Sequence, residues 1–230
     1  MKINHEFIDG NVIITIQVRK LFKQKLIFEE RITYTLLRSN ELHIAVKVSP
    51  SKSKLRKIPT LPRVGLSIEL NYPINVEESA LSAKKDPISF CGRGPHENYI
   101  DRNSSAKQGV YTYELADHYI VPSECGNRTQ VKWLNLSNQF VINKLCQEEN
   151  DNDGFQFSIN TANQKAIDDA LHTSDLPENR IDTSDKVYIN IDHKQMGVGG
   201  DCSWFPCVYE DFKINSTEEF RYEFVLTPLK

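Results

Sequence analysis

Apolar and polar residues alternate with a period of two along most of the chain. The clearest case is residues 64–72, VGLSIELNY, in which Val64, Leu66, Ile68, Leu70 and Tyr72 fall on one face. This alternation is typical of antiparallel strands with one covered face. The same pattern predicts strands at residues 12–18, 26–37, 42–48, 155–159, 187–191 and 220–226. Seven or more strands with almost no helix predict an all-β sandwich of two sheets.

One segment departs from the period of two. Residues 163–172 have a short apolar stripe at helical spacing, which predicts a helix with Thr161 as its N-cap. Residues 50–62 contain three prolines and are predicted to be a loop, and residues 151–154 a tight polar turn. Because strand patterning continues on both sides of these segments, we predict a single domain over residues 1–230.

Charge is unevenly distributed although the net charge is only −3. Residues 1–62 hold 12 Lys/Arg against 5 Asp/Glu, a balance of +7, and the remaining residues have a balance of −10. The basic residues form two short runs, at residues 19–25 and 52–57, without the series of interleaved aromatics that stack on single-stranded nucleic acid. We interpret both runs as solvated loops and expect no nucleic-acid partner.

The cysteines and the N-terminus indicate the compartment. Five cysteines are an odd number, and the first ten residues, MKINHEFIDG, lack the apolar stretch of a secretory signal. Reduced thiols in a cytoplasmic protein fit this composition. No window has eighteen apolar residues, so we expect no membrane span.

Metal-ligand residue types occur without metal-site spacing. Cys202 and Cys207 are separated by four residues, and the His96–Glu97 pair lacks a second histidine four residues on, so neither matches a zinc motif. Asp201 and His118 complete the set of potential ligands. We expect no metal on this chain, and the absence of a Gly-x-Ser-x-Gly motif gives no support for a serine nucleophile.

Paired carboxylates are harder to exclude. Glycoside hydrolysis needs two carboxyl groups roughly 5–10 Å apart, and Glu97, Asp101, Glu124 and Asp201 all lie in segments rich in glycine or proline. A carboxylate beside arginines more often forms an ion pair or caps a turn. The residues alone leave both interpretations open.

The segment MGVGGDCSWFP, residues 196–206, places two aromatic residues after three glycines. Glycine permits sharp turns and close approaches of the backbone. An indole offers a flat face for the C–H surface of a sugar ring, so Trp204 suits stacking on a saccharide. The alternative is an aromatic plug over one end of the sandwich, which is the interpretation we favour for Phe205.

Several motifs together resemble one family. The segments GRGPHENYIDR (92–102), YIVPSECGNRTQVKWLNL (119–136), FQFSINTA (155–162), VYINIDHKQMGVGGDCSWFP (187–206) and FRYEFVLTP (220–228) resemble the C-terminal domain of β-galactosidases of glycoside hydrolase family 2. They occur in the same order and at similar intervals. The resemblance is strong over residues 90–230 and looser before them.

The resemblance implies a supersandwich of two mostly antiparallel sheets, similar to galactose mutarotases. In the family, two glutamates on a separate TIM barrel perform the retaining hydrolysis, and Mg and Na are expected on that catalytic domain. No segment here has the eightfold βα pattern of such a barrel. The resemblance therefore implies no catalytic residue and no cofactor on this chain, which would be inactive alone.

The resemblance also assigns roles to individual residues. It implies that Glu97, Asp101 and Arg102, together with Asp201, form a structural polar network, and we expect burial with paired charges there. Trp204 would stack on the aglycone, such as the glucose of lactose, and favour its use as an acceptor. Cys202 and Phe205 depart from the usual residues of the motif, which leaves the fine shape of the aglycone site open.

Three functions remain open at this level. The chain could be a non-catalytic domain or small subunit that completes a β-galactosidase, with a catalytic barrel as its partner. It could be a stand-alone sugar-binding or mutarotase-like protein, in which His96 or His118 acts with Glu97 or Glu124. It could be a purely structural assembly domain.

Because the family's domain begins earlier, we also expect missing first strands, an exposed sheet edge and a possible homo-oligomer there.

Overall fold

A computed structural model describes residues 1–51, 58–71, 88–113, 121, 123–136, 140–145, 154–176, 186–202, 204–205 and 207–229. The strands are β1 (Lys2–Ile8), β2 (Asn11–Phe22), β3 (Lys25–Leu36), β4 (Leu42–Pro50), β5 (Thr60–Leu61), β6 (Arg63–Asn71), β7 (Ile88–Gly94), β8 (Lys107–Tyr113), β9 (Arg128–Val131), β10 (Trp133–Leu136), β11 (Phe140–Leu145), β12 (Phe155–Asn160), β13 (Lys186–Gln195), β14 (Ile214–Asn215) and β15 (Phe220–Pro228). The helix α1 spans Gln164–Asp169, and 3₁₀ turns lie at Thr173–Asp175 and Glu210–Phe212.

Two antiparallel sheets form the body of the fold. The larger sheet has nine strands in the order β1-β2-β3-β4-β15-β11-β10-β7-β8, and the smaller has four in the order β6-β13-β12-β9. A further two-stranded sheet pairs β14 with β5. The all-β class with mostly antiparallel sheets, predicted from the period of two, is confirmed.

Aromatic residues join the two main sheets across the core. Phe157 on the smaller sheet packs edge-on against Phe90 of the larger one, with ring centroids 5.2 Å apart. Phe155 makes a similar contact with Phe224 at 5.7 Å. All four rings are fully buried. Each ring faces inward because its strand alternates apolar and polar residues.

The larger sheet is wider than the sheet that covers it. Strand register places Phe7 beside Val12, and Val12 beside Leu36, so the same side of β1, β2 and β3 is mostly apolar, with His5 as the polar residue of β1 there. This is the core side, because Tyr34 on β3 pairs with the buried Ile44 on β4. We call it the open face and define it by residues Ile3, Phe7, Val12, Ile14, Ile16 and Leu36.

Much of the open face is exposed to solvent. Ile3 is 55% exposed, Phe7 75%, Ile14 37% and Leu36 44%. Every residue of β1 is exposed, and β1 forms the outer edge of its sheet. Among the described residues, β1 is therefore an exposed edge, and next to it lies a sheet face patterned as core but left without a cover. The expectation that first strands are missing stays a prediction.

Several local predictions need correction. Helix α1 is capped by Asn163 rather than Thr161, because the Asn163 side chain accepts a hydrogen bond from the Ala166 N–H at 2.8 Å. The first basic run lies at the β2–β3 hairpin, where Arg19 pairs with Glu29 at 3.1 Å, instead of in an isolated loop. The second basic run, most of the predicted turn at 151–154, Tyr72 and His118 lie outside the described residues.

Candidate functional site

The two motif segments singled out from the sequence meet in space. Strand β7 ends at Gly94, and the loop that follows brings Asp101 beneath the glycine-rich segment after β13. Asp101 Oδ2 accepts a hydrogen bond from the Gly199 N–H at 2.6 Å. A Cβ at Gly197 would lie 2.6 Å from the same oxygen and 2.9 Å from Phe212 Cβ. The glycines therefore allow the segment to cross directly over the carboxylate.

Glu97 fixes the first loop from its other side. Its Oε1 accepts from the Arg102 guanidinium at 2.6 Å, and its Oε2 accepts from the Gly126 N–H at 2.7 Å. The Arg102 guanidinium also lies over the Tyr99 ring, 5.2 Å from its centroid. The charges are paired as expected, but the expectation of burial is wrong, since the Arg102 and Glu97 side chains are 54% and 37% exposed.

The buried polar network of this loop contains residues that the sequence analysis did not single out, including the buried Arg128, whose guanidinium donates to the carbonyls of Pro95 and Gly126. Asn98 is fully buried, donates to the carbonyls of Arg93 and His96, and accepts from Thr129 Oγ1 at 2.5 Å. Asn127, also fully buried, donates to the Asn98 carbonyl at 3.0 Å. These amides satisfy backbone groups that irregular loops would otherwise leave unpaired. Asn98 and Asn127 both lie inside the quoted motifs, and this is the sequence feature that could have identified them.

Asp201 is separate from this network. Its carboxylate accepts a hydrogen bond from the Tyr209 hydroxyl, and both residues are exposed. It therefore braces the far end of the glycine-rich segment instead of joining Glu97, Asp101 and Arg102. The structural role given to all four residues stays a prediction.

Trp204 stands at the tip of that segment. The residue is 91% exposed and its neighbour Phe205 is 65% exposed. The expectation that Phe205 plugs the sandwich is therefore wrong. Gly200 sets the turn, with φ of +145° and no room for a Cβ, which would lie 2.5 Å from the Cys207 carbonyl oxygen. The segment thus presents two aromatic rings to solvent on a turn that only glycine suits.

A second group of charges lies deeper, where the loop meets the smaller sheet. Arg63 donates to both oxygens of Glu124 at 3.2 Å and to Gln195 at 2.9 Å, and its Nε lies 3.5 Å from Asp192 Oδ2. Tyr99 donates to Glu124 at 3.4 Å. One guanidinium therefore serves two carboxylates. Asp192 was not identified from the sequence, where it resembles any polar residue of an alternating strand.

Burial dominates the electrostatics of this group. Burial, with a smaller contribution from the nearby Glu124, raises the pKa of Asp192 to about 7 despite the attraction of Arg63. Burial also raises the pKa of Glu124 above its ordinary value, while Arg63 and the Tyr99 hydroxyl oppose the shift. Arg63 is shared by Glu124 and Asp192. Because an unpaired buried charge is unfavourable, a proton retained on Asp192 lowers the free energy of the group.

The histidine and the glutamates suggested for acid–base chemistry have other partners. The His96 ring hydrogen bonds to Ser105 at 3.2 Å, while Glu97 and Glu124 are engaged by arginines. Among the described residues, no cluster of three or more His, Cys, Asp or Glu side chains could hold a metal ion. No described helix is long and apolar enough to cross a membrane.

Known proteins resemble most of the chain. Three curated relatives named Beta-galactosidase come from Photobacterium profundum (35% identity over 199 residues, 85% of this chain), Alteromonas mediterranea (34% over 209 residues, 90%) and Vibrio cholerae (33% over 223 residues, 96%). The chain spans only 16%, 18% and 19% of their respective lengths.

A structural neighbour and a family profile complete the comparison. A galactose mutarotase related enzyme from Lactobacillus acidophilus covers all of this chain and 72% of its own, with 13% identity and a TM-score of 0.36. The sequence profile described as Beta galactosidase small chain matches residues 2–226, nearly the full length. The chain belongs to the β-galactosidase small-chain family.

Proposed function

We propose that this chain is the non-catalytic small-chain region of a cytoplasmic, retaining β-galactosidase that hydrolyses terminal β-D-galactosides such as lactose. The chain spans less than a fifth of each of the three relatives described above, which share the name Beta-galactosidase. The catalytic glutamates, with Mg and Na, would lie on a TIM barrel in another domain or chain. This chain would contribute one aromatic platform and a surface for assembly.

The observation that supports the platform best is the exposure of Trp204. An indole 91% exposed on a soluble domain is unusual, because most Trp side chains are largely buried. The Asp101–Gly199 hydrogen bond and the close packing of Gly197 hold the base of its loop in a fixed place. A ring presented in this way can stack on the aglycone of a galactoside bound at a neighbouring catalytic domain. It would also retain released glucose as an acceptor for transglycosylation.

The open face is the proposed assembly surface. Covering a Phe or Ile side chain that is now exposed would contribute about 1.5–3 kcal/mol each at full burial. The smaller sheet ends at β6, so an extended segment laid beside β6 would both prolong that sheet and cover the open face. We assign this cover to β-galactosidase sequence outside the 230 residues, since most of each relative lies outside the matched region.

Complementation tests the proposal. A β-galactosidase of the Vibrio cholerae type, truncated to remove the region that matches this chain, is expected to regain hydrolysis of a chromogenic galactoside when this chain is added. Phe7→Asp on the open face should abolish the gain, because it would place a charge against the covering segment. Asn4→Asp is the matched control, since Asn4 lies on the same exposed strand but faces the other side.

Four results would contradict the proposal. Hydrolysis by this chain alone would show that it is itself catalytic. No gain with any truncated β-galactosidase would remove the proposed partner. Equal loss with Asn4→Asp and Phe7→Asp, or a concentration-dependent homodimer that Phe7→Asp dissolves, would assign the open face to another occupant.

A further inference from the structure

Two cysteines close the neck of the loop that presents Trp204. The Cys202 N–H donates to Cys207 Sγ at 3.3 Å, and the Cys207 thiol lies 3.2 Å from the Cys202 carbonyl oxygen. The two sulfur atoms are 3.8 Å apart. Gly200 makes this approach possible, because a Cβ there would lie 2.5 Å from Cys207 Sγ. The loop therefore returns on itself with both thiols at the crossing point.

The two thiols differ from the other described cysteines in their surroundings. Backbone N–H groups of Trp204 and Phe205, and then the Cys207 thiol, lower the pKa of Cys202. Burial instead raises the pKa of Cys125. Thiolate is the nucleophilic form of cysteine, so the lowered pKa favours Cys202 as the attacking thiol. Both Cys202 and Cys207 are partly exposed and open to small reagents.

We propose that Cys202 and Cys207 are a disulfide-forming pair that reacts with low-molecular-weight disulfides and covalently closes the Trp204 loop. A disulfide requires sulfur atoms about 2.05 Å apart, so the two thiols, now 3.8 Å apart, must approach by less than about 2 Å. The bond would close a ring of six residues, 202–207, with Trp204 and Phe205 in its middle.

The reaction balances as two exchange steps. Cys202 thiolate attacks one sulfur of the small disulfide, forms a mixed disulfide and releases one small thiolate. Cys207 then loses its proton to solvent and attacks Cys202 Sγ, which forms the protein disulfide and releases the second small thiolate. The protein loses two protons and two electrons, and the small disulfide is reduced to two thiols.

Closure would restrict the positions available to the exposed indole. The open loop is held at its neck by hydrogen bonds to sulfur, which are weak. A covalent ring removes the conformations in which the neck separates. Disulfide formation at this site does not depend on the proposed sugar contact. If the disulfide does not form, the proposed function is unaffected.

The chain offers a direct assay. Trypsin cleaves after Lys194 and Lys213 with no site between them, so one peptide, residues 195–213, contains both cysteines and no other. The folded chain is incubated with oxidised glutathione, acid-quenched, and then unfolded in urea at about pH 8 with iodoacetamide, since thiolate is the form that is alkylated. This peptide is expected to lack two hydrogens and to have no alkyl group. Peptides containing Cys91 and Cys125 are expected to be alkylated in full.

Two variants separate the attacking from the resolving cysteine. Cys207→Ser is expected to accumulate a glutathione adduct at Cys202, because the second step is blocked. Cys202→Ser is expected to form the corresponding adduct at Cys207 at least about tenfold more slowly. In urea the difference between the two variants should disappear, since it originates in the folded loop.

Three outcomes would overturn the inference. Wild-type peptide that ends as a stable mixed disulfide would show that the thiols do not reach each other. Full alkylation of both cysteines after the incubation would show that the pair does not react. Equal adduct rates in the two folded variants would show that the loop does not activate Cys202.

Discussion

Asp192 makes stability depend on pH in a direction opposite to that of most acids. Its side chain is 2% exposed, and burial raises its pKa from 3.8 to about 7. Between those values the folded chain keeps the proton and the unfolded chain releases it. The contribution of Asp192 to the free energy of unfolding is therefore fully present below pH 4 and is lost as the pH rises through 7. The shift corresponds to an upper limit of about 4 kcal/mol, at 1.36 kcal/mol per pKa unit.

Asp192→Asn is the perturbation that isolates this effect. The amide keeps the shape of the protonated acid and cannot ionise, so the free energy of unfolding should become less dependent on pH between 4 and 8. Urea unfolding at several pH values measures it, with the exposed Asp211→Asn as control. The reasoning fails if wild type and Asp192→Asn show parallel pH profiles, or if the wild type gains stability relative to the variant as the pH rises from 5 to 8.

Two further predictions concern the loop and the open face. Gly197→Ala should destabilise the chain by about 1–3 kcal/mol in urea unfolding, because the added methyl meets Asp101 and Phe212; an unchanged midpoint would contradict the packing described here. Phe7→Asp should change the free energy of unfolding of the isolated chain by less than about 0.5 kcal/mol, since Phe7 is 75% exposed. A large loss there would mean that the open face already supports the fold.

The strands could be predicted where one face is buried. Residues 42–48 and 64–71 alternate cleanly, and they form β4 and β6 as expected. Strand β7 was missed because its glycines and arginine resemble a loop, although Gly92 packs closely against Val131. Strand β1 was missed because it is exposed along its whole length and its pattern is short. Apolar–polar alternation indicates a strand with one buried face, and the alternation is weak in strands whose faces are both exposed.

The sequence could identify the segments that form the site but not the contacts between them. Sequence identified the segments that contain Asp101 and Trp204, because glycines and ionisable groups are dense there. It could not show that Asp101 accepts from Gly199, since 98 positions separate the two residues. It also placed Arg102 in the interior, whereas stacking on Tyr99 and pairing with Glu97 are satisfied at the surface. Long-range pairing depends on strand order, which alternation alone does not specify.

The role of Trp204 can be measured in the complemented enzyme by comparing two substrates. Trp204→Ala should raise KM for lactose about tenfold, equivalent to about 1.4 kcal/mol, because the glucose loses its stacking partner. Hydrolysis of an activated aryl galactoside should change much less, and Phe205→Ala, at the neighbouring exposed ring, should change lactose hydrolysis little. Wild-type kinetics for lactose in Trp204→Ala, or equal losses on both substrates, would contradict the assignment of this indole to the aglycone.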